Sequence, residues 1–161
     1  MISKKAQYAL VAMTGLAREY ERGPVLVSRL ADEERIPKDF LNLILLELKN
    51  HGLVQSKRGK NGGYVLARSP DRISLASIIR LLSGPLAPVP CVSVSSPSPC
   101  DVCRDGEVCG LRPTMKEVRD ATAGILEKTS LADVVRRAAA LAKARKIRTG
   151  HLDRESSNYV I

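Results

Sequence analysis

Tryptophan is missing from this 161-residue chain, phenylalanine occurs once and tyrosine four times. So few aromatic rings exclude a stacking platform of the kind that holds single-stranded nucleic acid or RNA loops. No run of about 18 apolar residues occurs, as a membrane-spanning helix would need. The opening Met1-Ile2-Ser3-Lys4-Lys5-Ala6 has no long apolar stretch before a cleavage-like site. A soluble, cytoplasmic protein without a membrane partner is expected. Histidine appears only as His51, at the end of a predicted helix where a cation suits the dipole, and as His151 near the C-terminus. Neither is a persuasive ligand. No G-x-x-x-x-G-K-[ST] or G-x-G-x-x-G phosphate loop is present, and no Ser/His/Asp or paired-carboxylate constellation stands out. These absences argue against an enzyme.

Cysteine is absent except in one window, as Cys91, Cys100, Cys103 and Cys109. The spacing C-x8-C-x2-C-x5-C is set among Pro88, Pro90, Pro97 and Pro99, which deny the segment a continuous helix or a central strand. It therefore reads as a loop that gathers thiols, and loops of this length usually bind something or stay disordered. In a reducing cytosol, cysteines this close are metal ligands or redox sensors before they are a disulfide framework. An iron-sulfur cluster or zinc would use all four, although only Cys100 to Cys103 forms a zinc-type knuckle. A metal-free thiol switch, with Arg104 and Arg112 lowering a cysteine pKa, is the third option. A dithiol oxidoreductase is the alternative of another class. Its C-x-x-C would open a helix within a βαβ pattern, whereas Cys100 follows Pro99 in a loop.

Lysine and arginine number 26 against 17 acidic residues, a formal charge of +9 that attracts polyanions. The periodicity shows how that charge is presented. Ala6, Ala9, Leu10, Met13, Leu16 and Ala17 predict an amphipathic helix from about Lys4 to Tyr20, stopped before Gly23-Pro24. A short helix follows over Ser28 to Glu34, and a longer one from Pro37 to Asn50 with Leu41, Ile44, Leu45 and Leu48 inward. This is a helix-turn-helix in which Ser28, Lys38, Asp39, Asn42 and Lys49 are candidates for base edges or phosphate.

His51-Gly52 predicts a C-cap, Leu53 to Ser56 a strand, and Lys57 to Gly63 a basic glycine-rich turn leading into Tyr64-Val65-Leu66. A winged helix sets such a tip, here Arg58, Lys60, Asn61 and Gly62, against the DNA backbone or minor groove. The expected fold is mainly α with a small β-hairpin wing. Helices over Ser74 to Leu82 and Thr114 to Lys128 follow, the latter with a narrow apolar stripe suited to a homodimer. A last helix opens at the capping box Ser130 to Asp133 and runs toward Lys143. The organisation expected is a winged helix-turn-helix domain over 1–83 and a cysteine loop over 84–111. Dimerisation and C-terminal helices occupy 112–145, with a flexible tail over 146–161.

Tyr8-Ala9-Leu10, Phe40-Leu41, Ile44-Leu45, Leu48, Gly52-Leu53-Val54, Arg58-Gly59, Gly62-Gly63-Tyr64, the grouped cysteines and Ser130-Leu131-Ala132-Asp133 together resemble the Rrf family of transcription regulators, of the IscR, NsrR and CymR type. The resemblance covers about Ile2 to Arg137. It implies a winged-helix homodimer on a double-stranded operator, with an iron-sulfur cluster whose state alters operator affinity. It also implies that Cys91, Cys103 and Cys109 are the family's three cysteine ligands. The first interval is longer than usual and carries the extra Cys100, and Arg112 stands where IscR-like chains have a histidine. Either Cys100 or a partner-subunit group would then be the fourth ligand, and Tyr8 suits that second role poorly.

Overall fold

The computed structural model describes residues 2–101, 103 and 108–156, the side chains of 147–156 excepted. Six helices and one hairpin follow in order: α1 (Lys4–Arg18), α2 (Val27–Glu34), α3 (Lys38–Asn50), β1 (Val54–Lys57), β2 (Gly63–Leu66), α4 (Leu75–Ser83), α5 (Leu111–Lys128) and α6 (Leu131–Ser156). The mainly helical winged architecture is the one expected from the sequence.

Local chemistry sets the boundaries. Ser3 caps α1 by accepting from the Ala6 N–H, and Ser74 caps α4 by accepting from Ser77. Helix α3 ends in a Schellman turn: Leu53 N–H bonds the Leu48 carbonyl and Gly52 N–H that of Lys49. Gly52 takes the left-handed φ of 69° that this turn requires. Arg35, also left-handed at φ 54°, reverses the chain between α2 and α3. Pro37 caps α3 rather than entering it. Helix α5 starts at Leu111 instead of Thr114 because Pro113 lies in its first turn, where a missing N–H is harmless. Helix α6 continues to Ser156, well past Lys143 and into the expected tail.

Met13, Leu30, Leu41, Ile44, Leu45, Leu48, Val54, Ile73 and Ile78 form one fully buried core between α1, α2, α3, the hairpin root and α4. Tyr8 and Phe40 meet edge to face beside it, ring centroids 5.6 Å apart. The hairpin is antiparallel, with Val54 opposite Leu66 and Lys57 opposite Gly63. Val25 pins β2 close to the tip by exchanging two 2.9 Å hydrogen bonds with Tyr64. A side chain at Gly63 would overlap the Val25 carbonyl, so close approach, together with a φ of 147°, demands glycine there.

After α5 the chain returns to this core. Leu75 N–H bonds the Thr129 carbonyl, Leu131 N–H bonds that of Ile73, and the Leu131 side chain is fully buried. Ser130 and Asp133 make the expected reciprocal cap at the start of α6, at 2.8 and 3.1 Å. The segment between Ser83 and Thr129 is thus an excursion that leaves the core and comes back to it.

Candidate nucleic-acid interface and metal centre

Burial of Leu41, Ile44, Leu45 and Leu48 turns the opposite face of α3 to solvent, where Lys38, Asp39, Asn42 and Lys49 are all exposed. Ser28 is exposed on α2, and Arg58, Lys60 and Asn61 on the hairpin tip. Gly62 differs: it is buried inside the turn, its N–H given to the Gly59 carbonyl at 2.9 Å. Its part is to shape the tip, since a side chain there would strike the Lys57 carbonyl. Two leucines that the apolar stripe leaves out, Leu43 and Leu46, stand on the same solvent face, 61% and 50% exposed. Their offset from the inward stripe was the available signal.

The four thiols share one cavity of about 430 Å³, lined also by Pro97, Pro99 and Arg112. Cys91 lies in a single 3-10 turn, Pro90–Val92, and Cys109 lies just ahead of α5. Cys103 Sγ is 3.7 Å from Cys109 Sγ. Hydrogen bonding to Cys100 and then to Cys109 pushes the Cys103 thiol up to about 12. The Cys109 thiol moves the other way, held below its ordinary value first by the Leu111 N–H at the start of α5, then by Cys103 and the Arg112 N–H. Arg104, expected to act on a cysteine, lies outside the described residues.

A donor set of four thiols suits an iron-sulfur cluster. Two thiolates on one tetrahedral metal at ~2.3 Å stand about 3.8 Å apart, which the Cys103 and Cys109 pair matches. Among the described residues, no three Cys, His, Asp or Glu side chains close on a single point as one ion would require.

One contact was not foreseen. Arg119 of α5, its side chain only 14% exposed, donates from Nη1 to the Val92 carbonyl at 2.6 Å while Nε and Nη2 engage Asp120. Cys91 is the residue before Val92. The cysteine loop is therefore tied to α5 at both ends, through Arg119 and through Cys109.

Helix α5 has no fully buried residue, and Leu111, Val118 and Ile125 are 70%, 44% and 67% exposed. No helix among the described residues is long and apolar enough to cross a membrane.

Residues 2–137 match the family described as Rrf2, iron-dependent transcriptional regulator. The chain is 37% identical over 138 residues to a putative HTH-type transcriptional regulator, rrf2-like, of Rhodobacter capsulatus, covering 84% of this chain and 92% of the relative. Among solved structures it resembles CymR, the global cysteine regulator of B. subtilis, at TM-score 0.71 and 32% identity over 85% of this chain and 97% of that one. IscR of T. potens aligns at TM-score 0.69 and 28% identity, covering 86% and 88%.

Proposed function

The chain belongs to the Rrf2 family of transcriptional regulators, which bind DNA and are not enzymes, and from that premise we propose that an iron-sulfur cluster on Cys91, Cys100, Cys103 and Cys109 sets its affinity for a double-stranded operator. The observation that carries this reading is the convergence of all four cysteines on one cavity tied at both ends to α5. The apolar residues exposed along α5 support a homodimer through that helix. Two copies would present paired α3 helices to successive major grooves, in the cytoplasm. Lys38, Asp39, Asn42 and Lys49 would face base edges and phosphate, with Ser28 beside them. Arg58, Lys60 and Asn61 would meet the backbone on a tip shaped by Gly62. Residues 1–83 would serve as the DNA-binding unit, 84–111 as the ligand loop, 112–145 as the dimer and C-terminal helices and 146–161 as an appended tail.

When bound, a cluster supplies a centre that responds to iron supply or oxidation. The protein's own residues do the rest. Cys91 and Cys109 fix the two ends of the loop, Arg119 and the first turn of α5 pass their positions to the dimer helix, and α4 joins α5 to the winged core. A tenfold change in operator affinity needs only about 1.4 kcal/mol of coupling along this path.

A second reading has its own support: Cys103 and Cys109 are close enough to join once the loop shifts slightly. Two thiols would lose two protons and two electrons to an oxidant such as a peroxide, forming one disulfide. Purification without oxygen decides between them, with absorption, iron, sulfide and zinc measured on one sample. Iron and sulfide in near-equal amounts with a visible band are expected. Zinc would point to a structural ion, and metal-free protein with four titratable thiols to the disulfide switch. Cys100→Ala then tests the ligand set, with loss of the band expected. An unchanged band would remove Cys100 from it.

A further inference from the structure

The solvent face of α3 is not the polar surface that a solvated helix would carry. At its centre, one turn apart, stand Leu43 and Leu46, 61% and 50% exposed, directly opposite the buried stripe. Around them lie exposed Asp39, Asn42, Lys49 and Asn50, with Lys38 at the N-terminal end. Glu47, the other acid of the helix, is engaged by Lys5 of α1. The patch is therefore apolar in the middle, and at its edge two cations, Lys38 and Lys49, outnumber the one carboxylate, Asp39. The basic hairpin tip with Arg58 and Lys60 belongs to the same chain unit.

An apolar protein partner would not select the surrounding lysines, whereas duplex DNA satisfies both properties. Its phosphates meet the cations, and its major groove offers one kind of apolar group, the C5-methyl of thymine. Resting on the reading that α3 enters the major groove, we infer that Leu43 and Leu46 are specificity-determining residues that pack against thymine methyl groups. Asn42, adjacent to Leu43, has the side chain suited to adenine N6 and N7. The three together favour operator half-sites with A·T pairs beneath the middle of α3.

The test replaces thymine by uracil, which removes the methyl and leaves pairing intact. Purified full-length protein, reconstituted with iron and sulfide, selects its tightest duplexes from a randomised pool, and each thymine of the winner is then exchanged in turn. Wild-type protein should lose about 4-fold in affinity at particular thymines, the worth of one methyl-sized apolar contact. Leu43→Gln should bind the thymine duplex as weakly as the wild type binds the uracil one, and should ignore the exchange. Leu43→Met should restore sensitivity. Leu46→Ala should abolish it at a different thymine. All three variants should keep the wild-type salt dependence and melting temperature, because an exposed uncharged side chain carries neither phosphate contact nor core packing. Indifference of the wild type to uracil at every position would overturn the inference while leaving α3 as the reader. Undiminished sensitivity in both Leu43→Gln and Leu46→Ala would also overturn it. Failure to enrich any duplex would instead sink the reading of α3 itself, and this inference with it.

Discussion

The winged core and the excursion between Ser83 and Thr129 are built on different terms. In the core, each helix and the hairpin root contribute side chains that are wholly removed from water, and helix α1 alone buries Ala6, Ala9, Ala12, Met13, Gly15, Leu16 and Ala17. In the excursion, Val92 and Ser93 are buried beside Arg119, while α5 buries none of its residues. The first region is stabilised by its own packing. The second has a shape but little interior of its own.

The largest effect that sharpens this contrast belongs to Leu45→Ala. Leu45 is fully buried, and its truncation should destabilise the protein by about 2–5 kcal/mol in urea unfolding. A loss below about 1 kcal/mol would mean that the core is looser than its geometry. Gly63→Ala comes next. A φ of 147° and the Val25 carbonyl both oppose a side chain, so a penalty of about 1–3 kcal/mol from the backbone alone is expected. DNA binding should weaken with it, as the wing detaches from Val25.

Smaller still is Ser130→Ala, which removes the cap where the chain rejoins the core and should cost about 1 kcal/mol. Its partner adds a pH signature. The Ser130 hydroxyl, then the Ser130 N–H, hold the Asp133 carboxyl below its ordinary 3.8. A depressed carboxyl contributes stability that is whole above the unfolded value and fades as pH falls through the folded one. Wild-type stability should therefore decline below about pH 4 more steeply than that of Asp133→Asn, as read by thermal melting across pH. Equal slopes would assign the acid loss elsewhere. Smallest is Ile125→Ser in the excursion, where unfolding of the isolated subunit should shift by no more than about 0.5 kcal/mol. Sedimentation should show weaker self-association, and a large loss in the subunit itself would break the comparison.

The same contrast explains what could be read from the sequence. The helices of the core were legible because their apolar spacing, Ser130 to Asp133 cap and Gly52 stop are local signals that agree with the packing. The loop and its four thiols were legible because proline and cysteine leave few alternatives. Arg119 was not, because its partner is a main-chain carbonyl 27 residues away that no pattern marks. Neither was the burial of Gly62, which depends on how tightly the turn closes, nor the length of α6, whose later turns lack a clear stop signal. The exposure of Leu43 and Leu46 was implicit in the inward stripe, but leucine in a helix reads first as core.

At the point where the excursion departs, the Ser3 N–H and hydroxyl reach the Ser83 hydroxyl at 3.0 and 2.8 Å, and where it returns, Ser74 pairs with Ser130. Both junctions are thus fastened to the core independently of what lies between them. Inserting residues into such a closed stretch is entropically mild, with each doubling of its length costing only about 0.6 kcal/mol. The interval between Cys91 and Cys100 can lengthen or shorten without disturbing the helical core, which makes the cysteine loop exchangeable, a cassette on a fixed frame.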